Sequence, residues 1–272
     1  MAGDVLWMQA VTAETNLPLA MAQARGTGAT AIKVYADVSA LLLSAITLEA
    51  HRQDMLVWAH AAVFAARPSE VADAGVDIMS HAWMLGYEVS DPIPPAAMHP
   101  PAPVEARKLE LPNSRVDALL SDMKRRSTIL DATLYVYFLD DTGIDCKYAL
   151  AAKLAAEAYR AGVPLSAGTD DEPGDSKDSL SALTQELILL VHDAGLARSG
   201  AINAATINGA RTIGRENDVG SIEVGKIADF VVLHMDPMSD IRNVRTVYMT
   251  VKNGVGYKRS MYRPTTTQAG HP

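Results

Sequence analysis

Along residues 30–195 the hydrophobic positions follow two periods in turn, and each change of period marks an element boundary. Short β-type runs, "TAIKVYA" (30–36), "MLVWAHA" (55–61) and "VDIMSHA" (76–82), are rich in β-branched and aromatic residues. Between them lie helical stretches. "SALLLSAITLEAHRQ" (39–53) repeats apolar residues three and four apart behind a Ser N-cap, and "PSEVADAG" (68–75) opens with Pro and closes with Gly. The rhythm continues with helix "SRVDALLSDMKRR", strand "TILDATLYVY" (128–137), helix "KYALAAKLAAEAYRAG", strand "VPLSAGTDD" (163–171) and helix "SLSALTQELILLVHDAG". Five βα units can be counted, the signature of an α/β fold on a parallel sheet. A further helix is predicted over "AINAATINGARTIG" (201–214).

Two regions break the alternation. Residues 83–112 contain "DPIPPAAMHPPAP", whose six prolines exclude helix and central strand and predict a long lid or binding loop. After residue 218, "GSIEVGKIADFVVLHMD" and "VRTVYMTVKNGVGYKR" read as hairpin material with Gly and Asn at the turns, a small all-β appendage.

Composition narrows the function classes. Apolar residues make up 49% and charged ones 21%, as expected of a folded, soluble protein rather than a disordered one. The formal charge of −8 argues against a nucleic-acid partner, and the one dense basic run, "KRRS", suits the end of a helix. The single cysteine, Cys146, rules out an internal disulfide framework. The start "MAGDVLWMQAV" lacks the features of a signal peptide and no run reaches membrane-spanning length, so a cytoplasmic location is expected, with no membrane partner.

In a parallel βα array the site lies at the carboxyl ends of the strands, where the polar residues are Lys33, His60, His81 and Asp170. Adjacent strands are about 4.8 Å apart, so side chains of consecutive strands converge if they share a face. Imidazole nitrogen and carboxylate oxygen suit Zn²⁺ and similar divalent ions. Lysine joins such a set only as a carbamate, formed when burial neutralises its amine and the amine adds to CO₂ with loss of a proton. Taken singly, each has an ordinary reading: a solvated lysine, satisfied core histidines, a turn-forming aspartate in "GTDD". Their joint placement at corresponding strand ends points to a shared metal. His99 in the proline-rich loop and Tyr137 are candidates for substrate contact, whereas His51 on its helix is expected to face solvent and His192 is explained by the dipole at its helix's carboxyl end. Ser166 lacks a nucleophile elbow, and "GTG" at 26–28 lacks the spacing of a dinucleotide fingerprint.

Together "GATAIKVYAD", "VWAHA", "AGVDIMSHA", "SAGTDD" and "AATINGARTIG...VGSIEVGKIADFVVL" resemble, in that order, the second half of the amidohydrolase superfamily, in its imidazolonepropionase-like and metal-dependent prolidase-like branch. The likeness runs from about residue 15 to 258. It implies a partial or rearranged (β/α)8 barrel of TIM type over residues 1–217, a β-sandwich portion over 218–258 and a tail at 259–272. It also implies one or two divalent metals, zinc first among them. Lys33 matches the family's carboxylated lysine, an N6-carboxylysine. His60 and His81 match its two strand-end histidines, and Asp170 the aspartate that touches the metal and takes a proton from the attacking water.

The family's HxH motif is missing, since none of His51, His60, His81, His99, His192, His234 and His271 forms such a pair. A chain carrying five barrel units is therefore expected to seek a homo-oligomeric partner for its sheet edges. The expected function is metal-dependent hydrolysis of C–N bonds in a small-molecule amide, cyclic amide or dipeptide. The alternatives are a truncated homologue with little or no catalysis and a subunit that needs a second chain to complete its barrel.

Overall fold

The computed structural model describes residues 8–93, 102, 108–139, 146–170 and 181–261. The elements run α1 (Leu17–Gly26), β1 (Ala31–Val34), α2 (Ala40–Arg52), β2 (Leu56–His60), α3 (Pro68–Asp73), β3 (Ile78–Ser80), a 3-10 segment (Ala82–Val89) and α4 (Ser114–Arg126). There follow β4 (Ile129–Asp131), α5 (Leu134–Leu139), α6 (Lys147–Ala161), β5 (Leu165–Ser166), α7 (Ala182–His192), α8 (Arg198–Ala205), α9 (Ile207–Arg211) and an antiparallel trio, β6 (Phe230–Leu233), β7 (Val247–Lys252) and β8 (Val255–Lys258).

The expected five parallel strands are present, in chain order β1-β2-β3-β4-β5. Local chemistry sets the helix starts. Ser39 accepts from the Leu42 amide at 3.2 Å, Asn113 from Arg115 at 3.0 Å and Ser181 from Thr184 at 3.3 Å, each satisfying a first-turn donor that the helix itself cannot.

The ladder register explains where chemistry can sit. Val34 pairs with Ala59, Ala59 with Met79, Met79 with Leu130 and Leu130 with Leu165. Cross-strand partners share a face, and all five are buried apolar residues. The helices α2, α3, α4, α6 and α7 pack side by side in chain order to form the helical layer. The opposite face carries Lys33 and Trp58, then His60, Ser80, Asp131 and Ser166 one pleat further along. A one-residue slip of any strand would exchange the two sets. The face away from the helices is thus polar at its carboxyl end.

Four expectations need correction. "TILDATLYVY" is not one strand: pairing stops at Asp131, and Leu134–Leu139 is helical. The cause is tertiary, because the buried Glu186 carboxyl group accepts from the Leu134 and Tyr135 amides at 3.2 and 2.7 Å and caps a helix over a sequence rich in β-formers. "VPLSAGTDD" pairs only at Leu165–Ser166, since the next ladder donor, Gly168 N–H, turns to the Asp131 carboxylate at 3.0 Å. The predicted loop after His81 begins as a packed 3-10 segment with Trp83, Leu85 and Tyr87 fully buried. The predicted helix 201–214 also breaks, at Thr206, where Asn208 reaches back to the Leu165 carbonyl at 2.8 Å.

The three-stranded sheet runs β6-β7-β8 and follows the expected hairpin chemistry. Asn253 and Gly254 both take positive φ, 50° and 78°, between β7 and β8, the geometry of a tight hairpin turn.

Candidate active site

His60 ends β2 on the polar face, and His81 follows β3. Strict alternation from Ser80 would send His81 to the helical side. Its backbone instead takes φ 72°, a left-handed bend that brings the two imidazoles edge to face with centroids 4.6 Å apart. His81 Nδ1 lies 3.0 Å from both the Thr133 and the Tyr137 hydroxyl oxygens. Burial, with the neighbouring His60 and Lys33, holds the His81 ring well below the usual histidine range, so it is neutral.

Lys33 is half-buried and donates from Nζ to Ser80 Oγ at 2.7 Å. The Trp58 ring lies beneath the amine, 5.5 Å to its centroid. Desolvation lowers the Lys33 pKa to about 8, although the Asp131 and Asp170 carboxylates act against that shift.

Asp131 is 5% exposed and was not singled out from the sequence. It accepts from Ser166 Oγ at 2.7 Å and Gly168 N at 3.0 Å on Oδ1, and faces Ser80 Oγ at 3.4 Å on Oδ2. Burial raises its pKa against these donors and the Lys33 charge. The one signal available beforehand was a carboxylate ending an otherwise apolar strand.

Asp170 lies four residues beyond Ser166, exposed, at φ 50°, and acts electrostatically on both Lys33 and Asp131. Lys33, His60, His81, Tyr137 and Asp170 thus gather at one end of the sheet, while His99 lies outside the described residues. His51 pairs instead with Asp77 at 2.8 Å at the opposite end, on a cavity shared with Lys124 and Arg126. Arg126 there is engaged locally, with Asp73 and Asp122.

Among the described residues, no three of His, Cys, Asp and Glu form a group able to hold a metal ion alone. The neutral His81 imidazole and the His60 ring beside it fit two ligand positions on a divalent ion, and the Lys33 amine, its pKa lowered by burial, is suited to uptake of CO₂ with loss of a proton to give an anionic carbamate ligand.

Comparison with known proteins agrees with this architecture. The model of the amidohydrolase family matches residues 12–255. An imidazolonepropionase of Geobacillus kaustophilus is 43% identical over 84 residues, an alignment covering 30% of this chain and 19% of that protein. The crystal structure of a putative prolidase from Bifidobacterium longum superposes with TM-score 0.66 at 26% identity, covering 94% of this chain and 62% of that one. An ochratoxinase of A. niger gives TM-score 0.67 at 22% identity, over 91% of this chain and 55% of that one, a likeness of fold. The chain spans little more than half the length of these solved proteins. No described helix is long and apolar enough to cross a membrane.

Proposed function

The chain belongs to the amidohydrolase family, and from that premise we propose that it is a divalent-metal-dependent hydrolase of C–N bonds in a small amide, cyclic amide or dipeptide. The observation that carries the reading is the meeting of His60 and His81 at 4.6 Å beside Lys33, on the polar face of the sheet. The relatives named imidazolonepropionase and prolidase support a carbonyl–nitrogen bond as the target.

In this reading His60 and His81 would hold the metal, zinc being the ion that best suits their nitrogen donors, and Lys33, as a carbamate, would complete the set. An Nδ1–H donated by His81 to Thr133 Oγ1 leaves the Nε2 lone pair free and fixes the ring's orientation. Bound there, the ion supplies Lewis acidity for water activation and for polarising the substrate carbonyl. Asp170 takes a proton from the attacking water and returns it to the leaving nitrogen. Its exposed position, four residues beyond the end of β5, suits both steps. Tyr137, half-buried beside His81, lines the substrate side, and His99 remains a candidate for the same role.

The residues 1–217 and 218–258 are proposed as the hydrolase and sandwich portions of the chain, and the open edges of β1 and β5 favour assembly with a further copy or chain. The test is Asp170→Asn. Turnover of amide substrates should fall by at least about 100-fold, the scale of general acid–base catalysis, with metal content retained. Unchanged turnover would remove Asp170 from its role.

A further inference from the structure

Asp131 has no part in the chemistry just proposed, yet it is tied to both sides of it. Its Oδ1 receives the Ser166 hydroxyl at 2.7 Å and the amide of Gly168, two residues before Asp170, at 3.0 Å. Its Oδ2 faces Ser80 Oγ at 3.4 Å, and that oxygen receives the Lys33 amine at 2.7 Å. The carboxylate is buried, so its donors are not exchanged for water. The approach of the 166–170 backbone depends on a missing side chain: a Cβ on Gly168 would sit 2.2 and 2.5 Å from the two Asp131 oxygens.

We infer that Asp131 is a positioning residue that locks the Asp170 loop, through Ser166 and Gly168, and the Lys33 amine, through Ser80, to one buried carboxylate. The inference rests on the hydrolase reading for its purpose and on these contacts for its existence. Two groups contributed by the outermost strands of the sheet, β1 and β5, are held in fixed relation by a residue of β4. Without that tie, the short pairing at Leu165–Ser166 leaves Asp170 four residues from the nearest ladder contact.

Site-resolved hydrogen exchange on the full chain, without added metal, tests the lock apart from turnover. In Asp131→Ala the Gly168 amide should exchange about tenfold faster or more, while the β2 and β3 ladder amides keep their rates. Should that variant fail to fold, Asp131→Asn replaces a charged acceptor by a neutral one of the same shape and should speed Gly168 about fivefold. Uniform acceleration along the sheet, or none at Gly168, would overturn the inference. In the metal-loaded chain, Asp131→Asn and Ser80→Ala should each lower kcat at least about tenfold with KM within about twofold, a split that mere loosening of the fold does not produce. A chain that hydrolyses no amide would sink the hydrolase reading and leave the exchange result standing. Uniform exchange would sink the lock and leave that reading intact.

Discussion

The Gly168 amide donates to Asp131 at 3.0 Å, from a position where no side chain fits. Gly168→Ala should therefore destabilise the protein by roughly 1–3 kcal/mol, the cost of overpacking a site whose neighbour is buried. The loss should shrink by at least about 1 kcal/mol in an Asp131→Ala background, where the clashing oxygens are gone. Thermal or denaturant unfolding of the four proteins of this cycle checks it. Additive losses would mean that the two residues do not meet.

Glu186 predicts a pH dependence. It is fully buried, and desolvation raises its pKa from 4.5 to about 8 against two backbone donors. Between those values the folded state holds a proton that the unfolded state has released. Stability contributed by the neutral acid is thus complete below pH 4.5 and lost as pH rises through about 8. The decline attributable to this group should be on the order of 3–5 kcal/mol. Glu186→Gln, which cannot ionise, should flatten the slope across that window in denaturant melts at several pH values. An unaltered slope would assign it to other groups.

The two hydroxyls at His81 Nδ1 predict graded effects on metal affinity. Thr133→Val should weaken binding about tenfold, and Thr133→Val with Tyr137→Phe about 100-fold, the scale of contacts that orient a ligand histidine. Chelator competition measures both. Equal affinity in all three proteins would show that neither hydroxyl orients the ring.

How much of this was legible in the sequence depends on how local each cause is. The Ser39 cap and the helical period behind it foretell α2 to within a residue, because donor, acceptor and apolar stripe lie in one segment. His60 was legible for the same reason, closing an apolar strand. His81 was legible as a strand-end histidine, but the φ of 72° that turns it toward His60 leaves no mark in residue type. The helix over Leu134–Leu139 was hidden because its cap, Glu186, is supplied from α7, some fifty positions away. Asp131 was overlooked because its partners Ser80, Ser166 and Gly168 come from two other strands and a turn, and meet only once the register is known.

The most direct test of the account is the metal content of the purified chain after expression with supplemented zinc, measured by inductively coupled plasma analysis beside His60→Ala and His81→Ala. We predict about one tightly held ion per wild-type chain and its loss in both variants, with the fold retained. A well-folded wild-type chain that binds no divalent metal, or variants that keep it, would contradict the assignment of this site.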